Sequence, residues 1–275
     1  MASEPVQVSP RAATAELSAT RDGVDVWLAF YNEIDDPALL DRFRGLLSAE
    51  ERQQEARFHF ADDRKRYRVT RALVRTALSR YAPVAPLDWS FATNAYGRPH
   101  IAEAHGDAAE ISFNLSHTRG LIALAVTRGQ AVGIDVENLA VREVSTGIAD
   151  RFFAQAEVDE LATTPPSRQQ DRFFEYWTFK ESYIKARGMG LSIPLDQFSF
   201  HFPHEAAVQL AVQAELGDDA ARWNFAQYRP TPDYLLALCV ECTDRQRTRP
   251  QVTVRKVVPT VAQHDVDLPV LKATL

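Results

Sequence analysis

The sequence predicts an α+β protein built from two tandem, similar α+β halves, with the active site between them. Three observations predict it. Strand, helices and further strands occur in that order twice along the chain. The segment RFHFADDRKRYRVTRALVR at 57–75 is echoed by RFF…FFEYWTFKESYIKAR at 151–187, as an internal duplication requires. With 275 residues, 45% hydrophobic and 25% charged, the chain has enough apolar material for one large core or two smaller ones. Ligands often bind where two such units meet. The expected divisions are a flexible tail at 1–22, an N-terminal half at 23–130, a C-terminal half at 131–245 and a tail at 246–275.

Each element has its own reason. Residues 1–22 are rich in Ala, Ser, Thr and charge and offer little to bury. Val24 to Tyr31 (VDVWLAFY) reads as the first strand. Asp36-Pro37 opens a short helix, and Ser48 with Glu51 forms a capping-box pattern for the next. A long helix follows over 62–80, with Arg64, Arg68, Arg71 and Arg75 on one side and Val69, Leu73 and Ala77 on the other. That arginine stripe is either a solvated face or a wall for phosphate, whose oxygens match guanidinium forks. Tyr96-Gly97-Arg98-Pro99 is a tight loop presenting one arginine. ISFNL (111–115), LIALAVT (121–127) and AVGIDVE (131–137) read as a meander joined by short turns. Helices are expected at 145–153, 156–161 and from 169, after the TTPPS break. Strands follow at 198–202, 208–212, 223–228 and 233–241. Residues 246–275 read as a charged, Pro-punctuated tail.

Composition excludes several functions. A net charge of −6 argues against a general nucleic-acid binder, although residues 52–80 hold nine Arg/Lys against three Asp/Glu. Cys239 and Cys242 form a C-x-x-C, but in a strand that spacing sends the thiols to opposite faces, and no second pair completes a zinc site. They read as packing residues. Neither a basic-then-apolar leader nor an apolar run of about 20 residues occurs, so a soluble, cytoplasmic protein with no membrane partner is expected.

Two stretches carry the chemistry. Tyr176 to Leu191 (YWTFKESYIKARGMGL) is a helix closed by glycines, Gly188 being the expected left-handed cap. Phe173, Trp177, Lys180 and Ile184 form its inward stripe, and Glu181 and Lys185, four apart, are neighbours on the flank. Alone, such a pair is an ordinary surface contact of roughly 0.3–0.5 kcal/mol. The strand AVGIDVE places Gly133, Asp135 and Glu137 on one face, its carboxylates roughly 7 Å apart. Gly133 beside them leaves room for a ligand or another backbone. Hard oxygen ligands with space for water and phosphate suit Mg²⁺ better than zinc. Alone, a solvated D-x-E on an edge strand is the ordinary reading. The Ser116-His117 turn adds a hydroxyl and an imidazole at a strand end, a plausible phosphate grip or simply a turn cap.

Together, GRP (97–99), FNLSH (113–117), GIDVE (133–137) and WTFKESYIKARGMGL (177–191), in that order, resemble the Sfp-type 4′-phosphopantetheinyl transferases. The resemblance runs from about Ala49 through Glu241. It implies a 4′-phosphopantetheinyl transferase-like fold and transfer of phosphopantetheine from coenzyme A to a serine of an apo acyl or peptidyl carrier protein. Mg²⁺ would be the cofactor and 3′,5′-ADP the leaving product. By that resemblance Asp135, Glu137 and Glu181 would hold the metal, and Lys185 and Lys180 would meet phosphate oxygens. Asn114, Ser116, His117 and Arg98 would line the coenzyme A site, and Glu181 would serve as base. The family's usual basic residue near the 3′-phosphate is replaced by Gln54, leaving Arg52, Arg57 and Arg71 as the nearby candidates. A monomer is expected. Of the alternatives, a metal-dependent nuclease conflicts with the acidic charge. A non-catalytic relative would be expected to have lost one of the three carboxylates.

Overall fold

The computed structural model describes residues 17, 23–140, 149–242 and 249–275. The expected N-terminal tail, apart from Leu17, and the start of the helix expected at 145–153 lie outside the described residues.

The N-terminal half opens with β1 (Gly23–Ala29), followed by α1 (Pro37–Gly45), α2 (Ala49–Ala56) and α3 (Ala61–Leu78). Asp36 caps α1, its carboxylate accepting from the Ala38 N–H. Ser48 and Glu51 form the reciprocal capping box of α2. A small hairpin, β2 (Phe91–Thr93) and β3 (Pro99–Ile101), precedes the hairpin of β4 (Ile111–Thr118) and β5 (Leu121–Arg128). The C-terminal half repeats the plan. It contains β6 (Val132–Asn138), α4 (Ala149–Phe152), α5 (Gln155–Thr163), α6 (Pro166–Arg187), β7 (Phe198–His201) and β8 (Ala207–Val212). The hairpin of β9 (Trp223–Thr231) and β10 (Tyr234–Glu241) follows.

The duplication shows in the pairing. β1 pairs antiparallel with β5, which hairpins to β4; β6 pairs antiparallel with β10, which hairpins to β9. Each half thus sets its first strand against the last of a distant hairpin. The meander expected across 111–137 is therefore corrected. β4 and β5 pair, but β6 leaves for the other sheet, because its partner β10 offers a fully buried apolar register from Leu235 to Val240.

The expected tail at 246–275 is also corrected over 249–275. β11 (Gln251–Val258) runs parallel to β1, β12 (Ala262–Asp265) pairs with β11, and β13 (Val270–Thr274) enters the second sheet between β9 and β8. Val254, Val257 and Ala273 give these strands apolar groups to bury. Among the described residues the sheet orders are β12-β11-β1-β5-β4 and β6-β10-β9-β13-β8-β7.

Three apolar cores define the layers. α1 and α3 cover the outer face of the first sheet through Phe43, Leu73 and Trp27. The inner faces of the two sheets meet through Val26, Leu28, Ile134, Val136 and Leu238. α6 and α5 cover the second sheet through Phe174, Phe179, Tyr183 and Phe225. Cys239 lies buried in that last core, and Cys242, just past the end of β10, is part-exposed. Among the described residues no helix is long and apolar enough to cross a membrane.

Candidate active site between the two halves

β4 and β6 are the edge strands that face each other across the halves. An open edge leaves N–H groups unpaired. Here β4 side chains fill them at a constant register. Asn114 Oδ1 accepts from the Ile134 N–H (2.9 Å), Ser116 Oγ from Val136 (3.3 Å) and Thr118 Oγ1 from Asn138 (3.2 Å). On the face of β6 occupied by Gly133 the α6 backbone lies directly against the strand. A Cβ at Gly133 would stand 2.0 Å from the Ser182 carbonyl oxygen. Of the two uses foreseen for that glycine, close approach of a backbone is the one realised.

This packing brings Asp135, Glu181, Lys185 and Ser116 together. Asp135 is buried, and its Oδ1 accepts from Lys185 Nζ (2.6 Å) and from Ser116 Oγ (2.9 Å). Lys185 also donates to Ser116 Oγ (2.9 Å). The other oxygen, Asp135 Oδ2, is buried with no hydrogen-bond partner. A buried carboxylate oxygen in that condition is costly unless something positive or protic meets it. Burial, then the charge of Asp135, holds Glu181 above the usual carboxylate range, while Lys185 pulls the other way. Glu137 Oε1 accepts from the Trp177 indole (3.1 Å). That link was missed in the sequence, although Trp177 precedes Glu181 by one helical turn and shares its side of α6.

His117 sits at the end of β4 with its ring reaching solvent. Packing on its protein side, then the cationic Arg66, and more weakly Lys185, hold its pKa below the ordinary histidine value. Arg66, which sequence reasoning did not single out, lies near His117 and is itself paired with Asp63 (2.8 Å). A cavity of about 650 Å³ is lined by Tyr31, Asn32, Asp62, Arg119, Asn138 and Tyr234. Arg119 and Asn138 lie just beyond His117 and Glu137 in the chain, but none of Asp135, Glu137, Glu181 or Lys185 lines this space.

Several expectations need correction. Lys180 does not face the site. It is buried and donates to Glu157 Oε2 (2.6 Å) and the Phe198 carbonyl (2.8 Å), because the inward stripe on which it lies packs against α5 and β7. Burial pushes its pKa down against the opposing pull of Glu157. Arg98 turns inward, and its guanidinium donates to backbone carbonyls of Lys185, Ala186, Val132 and Phe113. Asn114 is used in the β4–β6 stitch, and the Ser116 hydroxyl is engaged by Asp135, Lys185 and the Val136 N–H. The α3 stripe is neither a solvated face nor a phosphate wall over most of its length. Arg71 and Arg75 pair with Glu51 and Arg68 with Glu55, so the stripe ties α2 to α3. Arg57, exposed at the C-cap of α2, donates to Gln54 Oε1 (3.3 Å).

The residues fit a divalent cation in part. The partnerless Asp135 oxygen and the proximity of Glu181 supply hard oxygen donors. Yet among the described residues no three His, Cys, Asp or Glu side chains form a ready-made cage. Lys185 neutralises Asp135, and Trp177 holds one oxygen of Glu137.

Comparison with known proteins decides the family. Residues 131–239 match the model of the 4′-phosphopantetheinyl transferase superfamily, and residues 38–129 match a 4′-phosphopantetheinyl transferase N-terminal model. The chain is 33% identical to the 4′-phosphopantetheinyl transferase Sfp of Bacillus subtilis over 74% of this chain and 86% of that protein. It belongs to the Sfp-type 4′-phosphopantetheinyl transferases. The 4′-phosphopantetheinyl transferase HetI of a Nostoc species is 32% identical over 64% of this chain and 73% of its own. The two family models meet at 129–131, the gap between β5 and β6, where the halves of this transferase divide.

Proposed function

We propose that this transferase moves phosphopantetheine from coenzyme A to a serine hydroxyl of an apo acyl or peptidyl carrier protein, releasing 3′,5′-ADP, with Mg²⁺ as cofactor. The observation that carries the reading is the partnerless, buried oxygen of Asp135 beside Glu181 and Lys185, at the junction of the halves. In the reaction, the serine oxygen forms a bond to the phosphorus carrying the pantetheine arm. The bond from that phosphorus to the bridging oxygen of the diphosphate breaks, and 3′,5′-ADP departs with the electron pair.

Each side chain has a part that its surroundings support. Glu181, a carboxylate set beside Asp135 and Lys185, accepts the serine proton. Lys185, part-exposed and held by Asp135 and Ser116, is placed to meet diphosphate oxygens. His117 and Arg66 would face the rest of the nucleotide, and Arg57 is the exposed arginine nearest Gln54. Asp135 and Glu181 would hold Mg²⁺, joined by Glu137 after its oxygens turn toward them. When bound, the ion would neutralise charge on the phosphoryl oxygens and on the leaving diphosphate.

The test is intact-mass analysis of several apo carrier proteins after incubation with the chain, coenzyme A and Mg²⁺. Gain of one phosphopantetheinyl group, lost on chelation of the metal, is the expected result. A panel in which no carrier gains mass would overturn the proposal.

A further inference from the structure

We infer that Arg98 is a positioning residue that fixes Lys185 against Asp135, an inference that rests on the transferase reading above. One guanidinium holds all three segments that supply the site. Its Nη1 donates to the carbonyls of Lys185 (2.6 Å) and Ala186 (2.8 Å) in the last turn of α6. Its Nη2 donates to Val132 at the start of β6 (2.8 Å) and, more weakly, to Phe113 on β4 (3.4 Å). Ser116 lies three residues beyond Phe113 on its strand, and Asp135 three beyond Val132 on its own. Lys185 is thus pinned at both ends, its carbonyl by Arg98 and its ammonium by Asp135 and Ser116.

The surroundings suit this task and no other partner. Among the described residues no carboxylate pairs with Arg98, and burial lowers its pKa from the usual arginine value. The carbonyls it meets lie in the last turn of α6, where that of Lys185 accepts otherwise from the Gly188 N–H, and where a cation also complements the helix dipole. The loop that presents it is itself braced. Asn94 Oδ1 accepts from the N–H groups of Tyr96 and Arg98, and Asn94 Nδ2 donates to the carbonyl of Gly188, the C-cap of α6. Only a planar fork with several donors spans these carbonyls together; an ammonium on a flexible stem does not.

The test compares Arg98→Ala and Arg98→Lys in the full chain and in a Lys185→Ala background, by kcat/KM for carrier modification and by amide hydrogen exchange. Arg98→Ala is expected to lose about 10²-fold in kcat/KM, the cost of roughly 1 Å of misplacement, and Arg98→Lys to recover little of it. In the Lys185→Ala background the same change should cost only a few-fold, because the group being positioned is gone. Full additivity of the two losses overturns the inference and makes Arg98 an independent ligand contact. Exchange should quicken in 132–136 and 183–188 while α3 stays protected. Exchange that is unchanged, or quickened uniformly over the molecule, also overturns it. If the unmodified chain transfers nothing, the functional reading fails by itself, and the exchange measurement still decides whether Arg98 ties these segments.

Discussion

Replacing Gly133 by alanine tests the packing on which the site depends. The added Cβ would lie 2.0 Å from the Ser182 carbonyl oxygen, 2.4 Å from the Ala186 nitrogen and 3.0 Å from the Ala186 Cα. All three are backbone atoms, so no side-chain rotation relieves the clash. Ordinary contact lies at 3.4–4 Å, and α6 must therefore retreat from β6 by more than 1 Å. Ser182 follows Glu181 in the chain and Ala186 follows Lys185, so the retreat carries both away from Asp135. Overpacking of this kind costs about 1–3 kcal/mol, which at this chain length lowers Tm by roughly 2–5 °C. Displacement of the reacting groups by about 1 Å adds a loss on the order of 10²-fold in rate. Thermal melts and initial rates of carrier modification measure the two effects separately. A Gly133→Ala protein with unchanged Tm and unchanged rate would show that α6 does not rest on β6 as described.

Three further outcomes follow from particular contacts. Lys180→Met should lower stability by about 3–5 kcal/mol by leaving Glu157 buried without a countercharge, its oxygens accepting only from the Ala154 and Phe200 N–H groups, with partial recovery in Lys180→Met/Glu157→Leu; a raised KM for coenzyme A at unchanged Tm would restore Lys180 to the ligand site. His117, held below the ordinary histidine value, makes the native state bind fewer protons than the unfolded chain between its lowered pKa and about 6.5, so stability rises with pH through that window and falls as pH drops through it. Bound coenzyme A should move the His117 pKa upward in an NMR titration, and an unmoved value would remove His117 from the anion site. Truncation after Pro250 deletes β11 and β12 from the first sheet and β13 from the second, baring the edges of β1 and β9; expression should give insoluble or non-cooperatively unfolding protein, and a truncated chain melting like the full one would contradict the place of these strands in the two sheets.

Much of the fold was legible because local signals and tertiary outcome agree. The Ser48–Glu51 capping box and the Gly188 cap (φ 67°) are local patterns that the structure realises as expected, and Val132, Ile134 and Val136 share one core as read, although the Gly133 and Asp135 face of β6 is buried as well. Sequence alternation states which face of β6 is apolar but not which strand it pairs with, and β10 lies about 100 residues downstream. QVTVRKVV at 251–258 carries a strand composition that the surrounding charge and proline obscured. Asp135, Glu137 and Glu181 could be singled out because they lie in short, ordered motifs, and the structure brings Asp135 and Glu181 close to each other. The misassignment of Lys180 and Arg98 has a common cause. A cation in a sequence looks like a surface group or a phosphate ligand, whereas Glu157 and four backbone carbonyls are acceptors with no local signature. The arginine stripe of α3 likewise meets its carboxylates on α2, the preceding helix.

As proposed above, the unpartnered oxygen of Asp135 and the carboxylate of Glu181 would hold a divalent cation at the junction of the halves. Binding of Mn²⁺, followed by electron paramagnetic resonance with coenzyme A present, tests it directly. One tightly held ion per chain is expected, with binding sharply weakened in Asp135→Asn and in Glu181→Gln although both variants retain the native circular dichroism. Undiminished Mn²⁺ binding by a folded Asp135→Asn protein would contradict the account.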